Sequence, residues 1–234
     1  MQEILFMASG YLVYSQVRGL AGHRVSDAFI NAYNLIDIER DLGIFKELTL
    51  QQWVLASDFM VDVFNLIYFY GFFPLVIPSA IFLFIRRPEI YRLARNAFLI
   101  SGSIAVCFYL TLPTAPPRLV GMGFIDTLNQ SMTPTYSSIP GVNHYAALPS
   151  MHVGWTFLLA VALFLAFKEW RFRSVFFALP LMMFSATVVT GNHYFLDGLL
   201  GLIVAVAALQ IALFVQKRAR EAQPAPMTQA PRSS

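Results

Sequence analysis

The stretch from Thr190 to Gly201, TGNHYFLDGLLG, decides how the rest of the chain is interpreted. It opens an apolar run that continues to Val215, and it places His193 and Asp197 four residues apart. On a helix this spacing puts the imidazole and the carboxylate on one face, one turn apart. A carboxylate so placed can orient the ring and stabilise its cation. The stretch therefore predicts a membrane helix with an ionisable pair at its N-terminal end. Such a pair in a membrane helix favours a functional site. A pair that only anchors the helix end among the lipid headgroups is the alternative.

The composition is that of a polytopic membrane protein. Of the 234 residues, 57% are hydrophobic, 15% are aromatic and only 12% are charged, which is too apolar for a soluble domain of this length. Because a span needs roughly 20 residues, the chain has room for about six spans after its loops. We expect an all-α fold, a polytopic membrane bundle of about six transmembrane helices with an interfacial amphipathic segment. The single cysteine, Cys107, excludes a disulfide framework.

The pattern along the chain predicts one transmembrane domain over residues 1–216 and a disordered cytoplasmic tail over 217–234. In residues 21–56, acids and bases alternate with apolar residues near helical spacing, which predicts an interfacial amphipathic segment. Residues 113–150 contain several prolines and no apolar run of spanning length. A loop of that length in a compact domain is usually functional.

The six expected spans are separated by these polar and proline-containing stretches. The second is long enough to bend at Pro74 and Pro78. The spans are expected at about residues 4–17, 57–85, 93–112, 150–167, 174–190 and 192–215.

Basic residues predict the orientation of the bundle. Most of the Lys and Arg lie in three clusters that six spans place on one side of the membrane, and the positive-inside rule makes that side cytoplasmic. Both termini are then expected in the cytoplasm, with the 113–150 loop on the extracytoplasmic face of the plasma membrane. The clusters are Arg86, Arg87, Arg92 and Arg95; Lys168, Arg171 and Arg173; and Lys217, Arg218, Arg220 and Arg232.

This topology brings two helix starts to the outer face, one at Ser150 and one near Asn192. Each start carries unpaired N–H groups and about half a positive charge, so the two together suit an anion. Ser150 is placed to cap its helix, and His152 lies in the first turn. Arg118, in PTAPPRL (residues 113–119), suits fork-like phosphate binding. Taken singly, these residues can also be a simple cap, an interfacial histidine and a headgroup anchor.

LPSMHVG (148–154) and TGNHYFLDGLLG (190–201) resemble the second and third signature motifs of the type 2 phosphatidic acid phosphatase superfamily, PAP2. With PTAPPRL and NLIDIERDLGIF (34–45), the chain is more similar to the inositolphosphotransferase branch of that superfamily, which includes inositol phosphorylceramide synthase. The resemblance covers about residues 34 to 205. Met151 and Thr187 stand where the superfamily usually has Gly and Arg, and Arg118 alone stands for its cationic first motif. These departures favour the divergent branch.

The resemblance implies a lipid phosphatase or phosphotransferase that uses no metal ion or other cofactor. His193, polarised by Asp197, would attack phosphorus and form a phosphohistidine, and His152 would protonate the leaving oxygen. Arg118, Ser150 and the helix starts would hold the phosphoryl oxygens. Water as acceptor makes a phosphatase, and an inositol-like alcohol makes a transferase. The expected partners are the bilayer and a phospholipid, polyprenyl or sphingolipid phosphate, and not nucleic acid.

Three alternatives stay open. A lipid transporter or flippase predicts polar residues at mid-depth in several spans, whereas the mid-span positions here are Phe, Leu, Val and Ala. A metal site would use His144, His152, His193 and Asp197. A purely structural membrane protein would need none of these side chains for activity.

Overall fold

The computed structural model describes residues 2–20, 23–128, 144–169 and 173–222. These residues form nine α-helices, two short 3₁₀ turns (Pro117–Leu119 and Ser174–Phe177) and no strand beyond an isolated bridge between Thr114 and Ala146. The prediction of an all-α membrane bundle is confirmed. The helices are α1 Gln2–Leu20, α2 Val25–Asp41, α3 Glu47–Leu55, α4 Asp58–Tyr70, α5 Phe73–Arg86, α6 Pro88–Thr111, α7 Met151–Ala166, α8 Ala178–Val189 and α9 Phe195–Glu221.

Three helical stretches among the described residues are long and apolar enough to cross a membrane, namely 58–86, α6 and α9. Two further apolar helices, α7 and the stretch 174–189, are shorter. The 19 residues of α1 match a span in length, but α1 falls outside the three stretches. Six helical stretches are thus available, and the count of about six spans stays a prediction.

The predicted second span is two helices, α4 and α5. The break lies at Gly71 and Phe72 and not at the predicted bends, Pro74 and Pro78. Pro74 lies in the first turn of α5, where backbone N–H groups have no acceptor within the helix. Its missing N–H therefore breaks no hydrogen bond, and the break comes before it. Pro78 lies inside α5 without ending the helix.

The central helix, α9, packs against α6 and α7. Its outward side carries large exposed apolar residues, such as Leu199 and Phe214, as a lipid-facing helix does. Its buried side is built largely of small residues, which let helix backbones approach closely. A Cβ on Gly201 would overlap the carbonyl oxygen of Ser150. The start of α7 therefore lies directly against the first turns of α9. The buried small residues are Gly198, Gly201, Ala205, Ala208 and Ala212.

The segment predicted to be interfacial contains α2 and α3. One stripe of α2 is buried and packs against residues of the 113–150 loop, Ala115, Val120 and Phe124, and against Tyr194 at the start of α9. In α3, Gln51 bonds Ile125 of the loop through both atoms of its amide, and its Nε2 also donates to the carbonyl oxygen of Val189. The two helices therefore pack against residues 115–125 of this loop and against the start of α9.

The first residues of the predicted tail belong to the last helix. Residues 217–221 continue α9 to Glu221, and Lys217 pairs with Glu221 over 3.9 Å. Basic side chains near a helix C-terminus are favoured by the helix dipole, which explains the extension. Residues 223–234 of the predicted tail and residues 129–143 of the predicted loop lie outside the described residues.

Candidate active site

His193 lies in the turn between α8 and α9, so it does not share a helical face with Asp197. Tyr194 is the N-cap and α9 begins at Phe195. The histidine is nevertheless close to the carboxylate, with Nδ1 3.3 Å from Asp197 Oδ2. The predicted pair therefore forms across the helix start. The cause is the turn at Gly191, whose φ of 72° ends α8 and turns the chain before a new helix can begin.

The ring of His193 is held by a backbone carbonyl as well as by the carboxylate. Its Nδ1 lies 2.9 Å from the carbonyl oxygen of Ala147, closer than to Asp197. A carbonyl oxygen accepts and never donates, so Nδ1 carries the proton. The lone pair of the neutral ring is then on Nε2. The side chain is 7% exposed, so the surrounding packing holds the ring in this orientation.

His152 lies in the first turn of α7, and its ring centroid is 5.9 Å from that of His193. Its other ring neighbours are Tyr68 at 4.7 Å and Phe72 at 6.1 Å. In phosphoryl transfer the nucleophile lies about 3–3.5 Å from phosphorus, and the proton donor lies about 2.6–3.2 Å from the leaving oxygen. Two rings with centroids 5.9 Å apart can meet both requirements. The two imidazoles lie on the same side of the bundle and close enough to flank one phosphoryl group.

Arg118 lies beside the turn that carries His193. Its N–H donates to the carbonyl oxygen of Gly191 over 2.9 Å, and its guanidinium donates to the side-chain oxygen of Asn192. Nε also pairs with Asp126 over 3.3 Å, and the side chain is only 7% exposed. A guanidinium has five N–H donors. These two protein contacts therefore orient the fork and leave donors for an anionic ligand.

Ser150 is the N-cap of α7, but its hydroxyl makes no capping bond. Its N–H donates to the backbone carbonyl of Asp197 over 2.9 Å, which joins the two helix starts. The hydroxyl is fully buried and has no hydrogen-bond partner among the described residues. A buried polar atom without a partner is costly. The oxygen of a ligand at the start of α7 would supply the missing partner.

The start of α9 is not an anion site, so that part of the expected phosphate cradle is wrong. Three consecutive N–H groups donate to carboxylates of the protein itself: Tyr194 to Asp197 over 2.9 Å, Phe195 to Glu47 over 3.0 Å, and Leu196 to Glu39 over 2.7 Å. These carboxyl groups occupy the positive end of the helix dipole. Of the two expected starts, only that of α7 is left for a ligand.

The residues that support the site were not predicted from the sequence. Glu39 could have been recognised, because it continues the buried stripe of α2 after Leu35 and Ile36 at helical spacing. An acid on an apolar stripe implies a buried partner. Asn192 and Asp126, which hold Arg118, and the carbonyl of Ala147 have no comparable signal in the sequence.

The metal-site alternative receives no support from the geometry. Within residues 2–20, 23–128, 144–169 and 173–222, no three or more His, Cys, Asp or Glu side chains are grouped to hold a metal ion. His144 is partly buried in the loop before α7.

Comparison with known proteins gives a family, a relative and a fold. Residues 33–211 match the family model of the PAP2 superfamily. The chain is 27% identical over 157 residues to the uncharacterized protein MJ0662 of Methanocaldococcus jannaschii, an alignment that covers 62% of this chain and 58% of that protein's length. The fold is similar to the crystal structure of Aquifex aeolicus LpxE, with a TM-score of 0.56 over 71% of this chain and 93% of that chain. At 16% identity, that likeness concerns the fold alone.

Proposed function

This chain belongs to the PAP2 superfamily, and on that premise we propose that it is an integral membrane enzyme that cleaves a lipid phosphoester and passes the phosphoryl group to water or an alcohol. The observation that carries the proposal is the pairing of the His152 and His193 rings, 5.9 Å apart, beside the buried guanidinium of Arg118. These are the groups that phosphoryl transfer through a covalent intermediate requires.

In the first half-reaction, Nε2 of His193 attacks phosphorus, the phosphorus–nitrogen bond forms, and the bond to the lipid oxygen breaks. His152 gives its proton to that oxygen, so the lipid leaves as a neutral alcohol. The proton on Nδ1 stays between Ala147 and Asp197, and the carboxylate stabilises the positive charge of the phosphorylated ring. In the second half-reaction, His152 takes a proton from the acceptor, whose oxygen displaces His193 from phosphorus.

The non-bridging oxygens of the phosphoryl group need donors throughout this sequence. We assign them to the guanidinium of Arg118, to the hydroxyl of Ser150 and to the N–H groups at the start of α7. Fixed donors in a buried site stabilise the charge that develops in the transition state at little reorganisation cost. The partnerless hydroxyl of Ser150 supports this assignment.

An apolar groove supports a lipid as the substrate. It has a volume of about 550 Å³ and lies between α1, α5 and α6. Phe72 and Trp155 line it and stack on each other, with ring centroids 5.8 Å apart. Phe72 also contacts the ring of His152. Only the side chain of Phe72 thus lies between the groove and the candidate acid, and we propose that the groove holds a hydrocarbon chain of the substrate while the phosphate lies between the two histidines.

Two finer statements stay predictions. Transfer to an inositol-like alcohol follows from the resemblance of NLIDIERDLGIF, and hydrolysis uses the same histidines. The orientation, with the site at the extracytoplasmic face of the plasma membrane and both termini in the cytoplasm, rests on the three basic clusters. Lipid phosphates are the substrate class in either case.

The test is turnover of radiolabelled lipid phosphates by the purified protein, with and without inositol and with a strong chelator. We expect product from the wild type with or without the chelator, and none from His193→Ala. His23→Ala, at an exposed histidine outside the site, is the matched control and keeps wild-type turnover. Labelled inositol phosphate identifies a transferase, and free phosphate identifies a phosphatase. Movement of lipid between leaflets without cleavage would instead establish the flippase.

A further inference from the structure

Two glutamates that the proposed reaction does not use lie at the start of the helix that orients His193. Glu39 comes from α2 and Glu47 from α3, and both are completely buried. Their Oε1 atoms accept from Leu196 and Phe195, the first N–H groups of α9. The preceding N–H, of Tyr194, donates to Asp197. Three carboxyl groups from three helices thus fix one helix start.

The two glutamates also contact each other. Their Oε1 atoms accept from adjacent N–H groups, which brings the two carboxyl groups together, and the Oε2 atom of each is buried without a hydrogen-bond partner among the described residues. Two ionised carboxylates in buried contact repel strongly, and such pairs retain a proton. Burial and then the neighbouring carboxyl of Glu47 raise the pKa of Glu39 from its ordinary 4.5 to about 9. One proton between the two Oε2 atoms would satisfy both of these otherwise partnerless oxygens.

The groups that face this pair are themselves acidic. Asp197 and Tyr194, at the start of α9, both lie within electrostatic range of the glutamates. Loss of the shared proton would therefore add a second negative charge to the pair beside the carboxylate that orients His193. With the proton in place, the pair carries one negative charge, which suits the positive end of the α9 dipole.

We propose that Glu39 and Glu47 form a proton-sharing carboxyl pair that fixes the start of α9 and thereby positions Asp197 against Nδ1 of His193. Neither glutamate touches the phosphoryl group, so both are positioning residues. The inference rests on the proposed function for its kinetic consequences. The shared proton itself rests only on the contact between the two side chains.

The first test is spectroscopic and does not depend on activity. An infrared difference spectrum of wild type minus Glu39→Gln, recorded at neutral pH on protein in lipid, should contain the carbonyl stretch of a protonated carboxylic acid. Glutamine accepts from Leu196 and donates to Glu47 as the protonated acid does, so the fold is retained. Asp197→Asn is the matched control for the other buried carboxyl group, and the glutamate band should persist in it. A difference spectrum with carboxylate bands alone would overturn the shared proton.

The second test is kinetic. Glu39→Gln should keep kcat within about threefold of wild type at neutral pH, and it should lose the decline in kcat that we expect for the wild type as pH approaches about 9. Glu39→Ala leaves a helix N–H and a buried carboxyl without a partner, so kcat should fall roughly tenfold or more with little change in KM. Equal kcat values and identical pH profiles for wild type, Gln and Ala would overturn the positioning role. If the wild type turns over no lipid phosphate, the proposed function fails, and the infrared result still decides the pair.

Discussion

Nδ1 of His193 donates to the carbonyl oxygen of Ala147 over 2.9 Å. The isolated bridge between Thr114 and Ala146 fixes that carbonyl, because Thr114 accepts from the N–H of Ala147 and donates to the carbonyl of Tyr145. The two ends of the 113–150 loop are thereby held together beside the histidine. The tautomer with its lone pair on Nε2 is therefore set by the backbone as well as by Asp197.

Asp197→Asn should therefore lower kcat less than the equivalent substitution does in a triad where the aspartate alone sets the tautomer. Loss of that carboxylate costs a serine protease about 10⁴-fold, because the wrong tautomer forms. Here the carbonyl oxygen of Ala147 still accepts from Nδ1 of His193 and so keeps the proton on that nitrogen. We therefore expect a loss of roughly 10²-fold in kcat, from the missing charge alone. The measurement is steady-state kinetics of Asp197→Asn beside His193→Ala. Complete loss in both variants would show that the carbonyl does not hold the tautomer.

Arg118 should tolerate no substitution, including lysine. Asn192 and Asp126 hold the guanidinium as a fork, and a lysine ammonium cannot reproduce that geometry. We expect both Arg118→Ala and Arg118→Lys to lower kcat/KM by about 10²-fold or more. Arg40→Ala, which removes an exposed arginine paired with Asp37, is the control and should not change the rate. Near wild-type activity of Arg118→Lys would mean that only a charge is needed there.

The contact between α7 and α9 should be sensitive to a single methyl group. Gly201→Ala places a Cβ against the carbonyl oxygen of Ser150. We expect a loss of about 1–3 kcal/mol of stability, as in other overpacked cores, together with lower activity because Ser150 moves. Thermal unfolding in detergent measures the first effect. At Gly102, also buried in a helix, a Cβ would meet only Tyr14 and Trp155 at 3.6 and 3.7 Å. Gly102→Ala should therefore keep the stability of the wild type, and equal losses of stability in both variants would contradict the account.

Stability should fall as pH rises from about 4.5 to about 9. The folded-state pKa of Glu39 is raised above its ordinary value, so the protonated group contributes stability that is fully present below the ordinary pKa. That contribution is lost as the pH rises through the folded-state pKa. Thermal midpoints across this range measure the trend, and the curve should be flatter for Glu39→Gln than for the wild type. Parallel curves for the two proteins would contradict it.

The groove beside Trp155 should set the preference for hydrocarbon chain length. Val106 lines it, so Val106→Phe would shorten the space for a chain. We expect kcat/KM for long-chain lipid phosphates to drop about tenfold relative to short-chain ones, a typical effect of a few methylene contacts. Leu110→Phe changes an exposed residue of the same helix outside the groove and should leave the ratio unchanged. An unchanged ratio for Val106→Phe would place the chain elsewhere.

The sequence was sufficient to predict the helical membrane class, and it singled out the five residues that we propose for the site. Apolar runs report spans directly, and His152, Ser150 and Arg118 stand beside helix starts and prolines that are visible in the sequence. It was not sufficient to predict the first residue of α9, because the turn at Gly191 decides where that helix begins. The N–H groups at the start of α9 donate to carboxylates of the protein and not to the expected ligand.

The support of the site was the least predictable part. Glu39 and Glu47 belong to an amphipathic segment in which acidic residues are expected to face solvent. Their burial follows only from the packing of α2 and α3 against the rest of the fold. Only the position of Glu39 on the buried stripe of α2 distinguishes it from its exposed neighbours Asp37 and Arg40. Long-range contacts between side chains and backbone, such as those of Gln51 with Ile125, leave no periodic signal to detect.

Rapid-quench labelling tests the central claim most directly. The wild type, mixed with a lipid phosphate labelled at phosphorus, should carry an acid-labile, alkali-stable label on the peptide that contains His193. His152→Ala, which lacks the group that activates the acceptor, should accumulate more of that label if a substrate with a good leaving group is used. Turnover by the wild type without any labelled protein, or undiminished turnover by His193→Ala, would contradict transfer through this histidine.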